Sequence, residues 1–253
     1  MGPTLFNIFI NDLFSHVTQT KLNASVGDHQ IYHSNVDPLV LDRYICNDVE
    51  KANQWNSQNG MIMNAQKHQA LIIDQTEHKF SFPVKSELDI FVMTIDNRLN
   101  FDKHISAVCN KINDQFNVML RFSNIISKVT MLKMYNVFIL PHFYYCFSVW
   151  HFCGTRKSEK LEAVNKCIIR FIFNDYTSHY TTLLNKVEMT SLYNKRIQNF
   201  LIRVYKSLFV NNTRNMFTVR HTTYNLRGTH MQTLSKPRTT TYGLHSFSYF
   251  PTQ

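Results

Sequence analysis

Apolar positions follow one rhythm before Asp102 and another after it. Upstream, the apolar runs are short and broken by turn residues, as in strands and hairpins. Downstream, they recur at three and four, the spacing of one helix face. Pro3 suits the first turn of a helix through about Phe14, with Leu5, Ile8, Phe9 and Leu13 as its stripe. Residues 21–32 read as two strands around Gly27-Asp28. Gly at the first central position suits a type II′ turn, which needs positive φ there. Folding back at that point sets Val26 opposite His29 and Ala24 opposite Ile31, with Asp28 at the tip. Asp37-Pro38 starts a helix to about Gln58, carrying Leu41, Ile45, Val49, Ala52 and Trp55 on one face. Asn59-Gly60 ends it. Strands are expected at 61–64, 69–73, 79–83 and 88–95.

In the helical part, Ile105, Val108, Ile112, Phe116 and Met119 form the first stripe. Ser127 caps a second helix with Met131, Met134, Tyr135 and Phe138 inward, and Pro141 kinks or ends it. Ser158 caps a third, with Leu161, Val164, Ile168 and Phe171 inward. A last helix follows Thr190, through Tyr193, Ile197, Phe200, Leu201, Val204 and Leu208. Residues 213–253 lack periodicity and read as loop. The class is α+β: short antiparallel strands with helices, then helices, then a basic C-terminal tail. Its divisions are expected at 1–101, 102–175 and 176–253.

Composition adds three points. The chain has 253 residues and 44% hydrophobic content, enough to bury a core. Its five cysteines form no CxxC pair, which suggests reduced thiols in an intracellular protein. His142 and Cys146 share a helical spacing, but no second ligand pair follows, so buried thiols are the reading preferred to a metal site. No secretory signal or membrane-spanning run is expected.

Charge changes the picture more. The net charge is +10, and its distribution is uneven. After Glu188 come nine cations and no acid: Lys195, Arg196, Arg203, Lys206, Arg214, Arg220, Arg227, Lys236 and Arg238. Tyr224, Tyr242, Phe247, Tyr249 and Phe250 lie among or just after them. Cations follow phosphates and aromatic rings stack on bases, so these nine are candidate nucleic-acid contacts. A solvated basic tail gives the same pattern.

Several short segments then fall in a telling order. Gly2-Pro3-Thr4-Leu5-Phe6 leads to Asn11-Asp12-Leu13. The hairpin segment Ser25-Val26-Gly27-Asp28 follows, then Trp55, then Asn64-Ala65-Gln66-Lys67. Ile90 to Asp96, His104-Ile105, the run Pro141 to Trp150, Leu161-Glu162-Ala163 and Tyr242 to Phe247 continue the series. Together they resemble the reverse transcriptases of non-LTR (LINE-type, jockey-like) retrotransposons. In that family a Tyr-Ala-Asp-Asp box sits where this chain has Ser25-Val26-Gly27-Asp28. The family's Leu-Gly turn falls here with Val92 at the glycine position.

The resemblance implies a partial polymerase palm, then a helical thumb. It implies Asp28 as the remaining catalytic and metal-holding carboxylate of the box, and Lys67 as the family's lysine near the leaving group. It implies Mg²⁺ as cofactor. Two-metal nucleotidyl transfer needs several carboxylates around both ions. Gly27 stands in place of one, and the family's earlier palm Asp and its fingers match nothing in this chain. The expectation is therefore a reverse-transcriptase fragment that binds no Mg²⁺ productively and has no polymerase activity of its own. The alternative is a non-catalytic module that binds RNA or DNA non-specifically through thumb and tail. A polymerase completed by a second chain is a third reading.

Overall fold

Local sequence signals set most element boundaries. The structure is a computed structural model, and it describes residues 2–25, 28–73, 76–151 and 153–209. Two units divide the chain, Met1–Leu88 and Asp89–Gln253.

In the first unit, α1 (Gly2–Ile10) and α2 (Leu13–His16) precede the hairpin β1 (Lys21–Ser25) and β2 (Asp28–Tyr32). Helix α3 (Pro38–Gln58) follows. The Asp37 carboxylate accepts from the Leu39 amide at 2.9 Å, and Pro38 starts the first turn. Gly60, at φ 70°, takes the chain out of the helix. Ile10, Leu13, Val17, Ala52 and Trp55 form the buried centre, with Phe6, Leu22, Ala24, Ile31 and Met61 at its edge. Leu5, Ile8 and Phe9, read from spacing as the inward stripe of α1, are exposed instead. α1 turns Phe6 and Ile10 to the core, a neighbouring stripe of the same apolar helix.

The strand expectations need correction. Residues 61–64 and 79–83 form no strand. β3 (Ala70–Leu71) and β4 (Val84–Lys85) pair in parallel. Residues 88–95 are not one strand but the hairpin β5 (Glu87–Ile90) and β6 (Met93–Asp96). The described strands make three separate two-stranded sheets rather than one antiparallel sheet.

The β5–β6 turn explains why it was illegible. Phe91 and Val92 sit at φ 48° and 70°, both left-handed, with no glycine to announce the turn. A β-branched residue pays conformational energy there. Val92 is 80% exposed, so little packing offsets that strain. Val92→Gly is expected to stabilise the second unit by about 1 kcal/mol, read from its denaturation midpoint. An unchanged or lower midpoint would show that the turn is not strained.

In the second unit, α4 (Asp102–Arg121), α5 (Lys128–Met134), α6 (Leu140–Tyr144), α7 (Phe147–Trp150), α8 (Thr155–Phe173), α9 (Tyr180–Lys186) and α10 (Leu192–Phe209) share one core. Ser127 Oγ accepts from the Thr130 amide at 3.2 Å and caps α5. A π-helical segment at Tyr135–Ile139 runs into α6, with Pro141 at the new start. That bulge turns Ile139 inward and leaves Phe138 half exposed. Ser158 does not cap α8, which already begins at Thr155. Trp150, Tyr135, Phe143, Leu161, Ile168 and Phe200 are among the fully buried side chains.

Candidate functional site

The hairpin is held from beneath by one buried carboxylate. Asp48 lies on the inward side of α3 and is 0% exposed. It accepts from the Gln19 and Thr20 amides, both at 2.7 Å, from Thr20 Oγ1 at 2.9 Å and from Lys51 Nζ at 2.9 Å. These donors lie just before β1, so α3 fixes where the hairpin starts. Burial pushes the Asp48 carboxyl up, but Lys51 and the amides outweigh it and hold it at about 2.

Asp12 joins the same frame. Trp55 Nε1 donates to Asp12 Oδ2 at 3.2 Å, and Ser15 Oγ donates to the Asp12 carbonyl at 2.7 Å. Leu13 beside it is fully buried. The segment Asn11-Asp12-Leu13 and the distant Trp55 thus meet in one contact below the hairpin.

The hairpin register differs from the one read from Gly27-Asp28. Ser25 pairs with Asp28, Ala24 with His29 and Leu22 with Ile31. Asp28 is therefore the first residue of β2, not the second turn residue. The pairing moves by two positions, so each side chain keeps its face; a shift of one would have exchanged the faces. Leu22, Ala24 and Ile31 still reach the core. Asp28 shares the opposite face with Ser25 and is exposed. Gly27 and Val26 lie outside the described residues.

Lys67 ends a 3-10 turn, Ala65–Lys67. Asn64 Oδ1 accepts from the Gln66 amide at 3.1 Å and the Asn64 carbonyl from Lys67 at 3.0 Å. Asn64 shapes the turn, and the Lys67 side chain is exposed. Among the described residues no group of three or more His, Cys, Asp or Glu side chains is placed to hold a metal ion. One carboxylate, Asp28, does not supply the ligands that a two-Mg²⁺ centre needs.

In the second unit, Asp96 organises the approach to α4. Its Oδ1 accepts from the Arg98 and Asn100 amides, both at 3.0 Å, and its Oδ2 from the Phe101 amide at 2.6 Å. The loop it holds carries Leu99 and Phe101 at positive φ. His104 and Ile105, which follow, are buried, His104 against Trp150 at 6.2 Å. These residues work as structure here.

The nine cations separate into three groups. Lys195, Arg203 and Lys206 are exposed on α10. Their spacings of eight and three keep them on one flank of the helix. Arg203 also donates to Ser148 Oγ at 3.2 Å and lies over the Phe147 ring. Arg196 is 0% exposed, which corrects its reading as a phosphate contact. Leu192, Arg196, Phe200 and Val204 are among the buried residues of α10. Phe200 and Val204 belong to the expected stripe, while Leu192 and Arg196 take the inward places expected of Tyr193, which is exposed, and Ile197. Arg196 lies over Trp150 at 5.2 Å and donates from Nη2 to Ser158 Oγ at 2.7 Å. Arg214, Arg220, Arg227, Lys236 and Arg238 lie outside the described residues.

Sequence reasoning missed a polar chain through this core. Tyr135 Oη donates to Asn165 Oδ1 at 2.7 Å, and Asn165 Nδ2 to Tyr180 Oη at 2.8 Å. Tyr180 Oη donates to Glu162 Oε1 at 2.8 Å, which also accepts from the Leu192 amide at 3.2 Å. Desolvation and the neighbouring Glu162 carboxylate push the Tyr180 phenol well above its ordinary range. The chain fixes α8, α9 and α10 together. Its signal in sequence was Asn165, a polar residue four after Leu161 on the inward stripe.

No protein-family model, no curated protein and no solved structure matches the chain. Among the described residues no helix is long and apolar enough to cross a membrane.

Proposed function

We propose that the chain is a relative of the reverse transcriptases of non-LTR (LINE-type, jockey-like) retrotransposons that no longer transfers nucleotides and acts by binding nucleic acid. On this reading the first unit is a partial palm and the helices of the second are a thumb. The contact between Asp12 and Trp55 carries the proposal. Two of the motif segments that suggest the family are 43 residues apart in the chain, yet they meet under the hairpin that bears Asp28. Their convergence in the core of the first unit supports this reading.

The loss of transfer rests on the box itself. Gly27 stands where the family has its first hairpin Asp, and Asp28 is exposed, with no metal-holding group of carboxylates, histidines or thiols around it among the described residues. Binding would fall to the exposed cations of α10 and to the basic residues after Phe209. Backbone phosphates are shared by all sequences and by RNA and DNA, so that contact is non-specific.

A primer-extension assay with Mg²⁺ or Mn²⁺ tests the catalytic part. The chain is expected to extend no primer, and Gly27→Asp alone is expected not to restore extension. That substitution returns one carboxylate; a positioned metal contributes several kcal/mol, and aligned reactants ~7–11 kcal/mol more. Extension by the unmodified chain, abolished by Asp28→Ala, would overturn the reading.

A further inference from the structure

The outward side of α10 carries more apolar surface than its packing requires. Leu192, Phe200 and Val204 already fill the inward side. Leu201, Ile202 and Tyr205 point away from it and are 52%, 51% and 61% exposed. At about 3.6 residues per turn, these three share one stripe with Asn194 and Gln198, both also exposed. Apolar side chains scattered singly over a surface are ordinary, but neighbours on one helix face mark a contact surface.

Charge says what that surface meets. Lys195 and Lys206 are exposed along one edge of the stripe. Eleven positions separate them, about 16 Å along the axis at ~1.5 Å per residue. Arg203 lies farther round, where it donates to Ser148 Oγ at 3.2 Å and covers the Phe147 ring. α10 contains no Asp or Glu, and no acid follows Glu188 in the chain. The complementary partner is therefore anionic along one edge and has flat apolar faces beside it. A nucleic-acid strand has both.

The strand state follows from the same residues. In a duplex the base faces are stacked on one another inside, and the backbone offers phosphates and sugars. Leu201, Ile202 and Tyr205 would gain little there. A single strand turns its base faces outward, where an aromatic ring can stack on them whatever the base. We propose that the outward face of α10 binds single-stranded nucleic acid in preference to duplex. One base stacks on Tyr205, its neighbours lie against Ile202 and Leu201, and Lys195 and Lys206 hold the phosphates. This inference rests on the nucleic-acid reading above and specifies the strand state that reading leaves open.

The test measures fluorescence anisotropy of the full chain at constant ionic strength with three labelled ligands. These are a short oligothymidylate, a duplex of the same length, and an abasic strand of the same length and charge. Oligothymidylate is expected to bind at least tenfold more tightly than the duplex. Tyr205→Ala is expected to weaken oligothymidylate at least fivefold and to leave the abasic strand unchanged within about twofold, because stacking contributes nothing to a strand without bases. Tyr205→Phe keeps the ring and is expected to bind as the wild type does. Lys206→Gln is expected to weaken both single strands. Equal loss on oligothymidylate and the abasic strand in Tyr205→Ala overturns the stacking contact. Oligothymidylate that binds no more tightly than the duplex, or equally well to Tyr205→Ala, overturns the inference and leaves nucleic-acid binding standing. Binding of none of the three ligands overturns both the inference and the reading beneath it.

Discussion

Acidification from pH 7 to pH 4 is expected to remove about 3 kcal/mol of stability from the second unit, through His151. Burial, reinforced by the nearby Arg196 charge, pushes this imidazole down to about 4. Its ring is stacked on Tyr193 at 5.5 Å, with Phe200 at 6.2 Å. In the unfolded chain the ring takes up its proton near 6.5. The folded pKa is the lower one, so unfolding gains protons as the pH drops below 6.5. The stabilisation is complete above 6.5 and is lost progressively down to about 4. Burial also lowers His104, against a smaller opposing effect of Asp89, and adds to the loss in the same direction. The chain has two tryptophans, Trp55 in the first unit and Trp150 in the second. Fluorine NMR of 5-fluorotryptophan protein therefore reads each unit separately in urea. The Trp150 transition should move to lower urea between pH 6.5 and 4, and His151→Phe should flatten much of that movement. A Trp150 midpoint indifferent to pH over this range would remove the account of the buried histidine.

Asp48→Ala is expected to destabilise the first unit by about 3–4 kcal/mol. The substitution strands two backbone amides, the Thr20 hydroxyl and Lys51 at once, at a site with no exposure. The Trp55 fluorine signal should report it, and Asp48→Asn should recover part of the loss by accepting some of the same bonds. The pH signature is opposite in origin to that of His151. The Asp48 carboxyl is held at about 2, below its ordinary 3.8. Its contribution is complete above 3.8 and falls away only as the pH drops toward 2, a span worth roughly 2 kcal/mol. Burial, against a smaller opposing effect of Asp28, also lowers the His29 imidazole in the first unit. That unit therefore loses some stability at mild acidity and more at strong acidity, while the larger mild-acid loss falls on the second unit. A first unit that softens between pH 6.5 and 4 as steeply as the second would contradict this assignment.

The sequence carried more of the elements than of their connections. Asp37-Pro38, Asn59-Gly60 and Ser127 marked helix ends because a cap is a local event, decided within four residues. The β5–β6 turn was hidden because Phe91 and Val92 take a conformation that their types disfavour. On α10 the C-terminal half of the expected face, Phe200 and Val204, is buried, but its start was misplaced because apolar residues fill two adjacent stripes, and only tertiary packing chooses between them. Arg196 on the chosen stripe then passed from a surface contact to a buried charge. Asp48 had a visible signal, an acid seven after Leu41 and three after Ile45 on the inward side of α3. Its partners, just before β1 and 28 or 29 residues away, had none. For the candidate site, the hairpin and the Trp55 helix were legible, while the register and the exposure of Asp28 came from the fold.

Salt dependence of nucleic-acid binding tests the central claim most directly. The full chain is titrated against a fluorescent single-stranded oligonucleotide from 50 to 300 mM salt. The variant carries Arg214→Gln, Arg220→Gln, Arg227→Gln, Lys236→Gln and Arg238→Gln, which follow α10 in the sequence and leave its residues unchanged. Removing α10 itself would strip Leu192, Phe200 and Val204 from the core, so a truncation after Glu188 tests folding instead. Each phosphate neutralised on a single strand adds about 0.7 to the slope of log K against log salt. The account predicts measurable binding at low salt, a steep loss as salt rises, and a slope reduced by up to about 3.5 in the variant, about 0.7 for each of its five substitutions. No binding at 50 mM salt, or binding whose salt slope is the same in chain and variant, would contradict it.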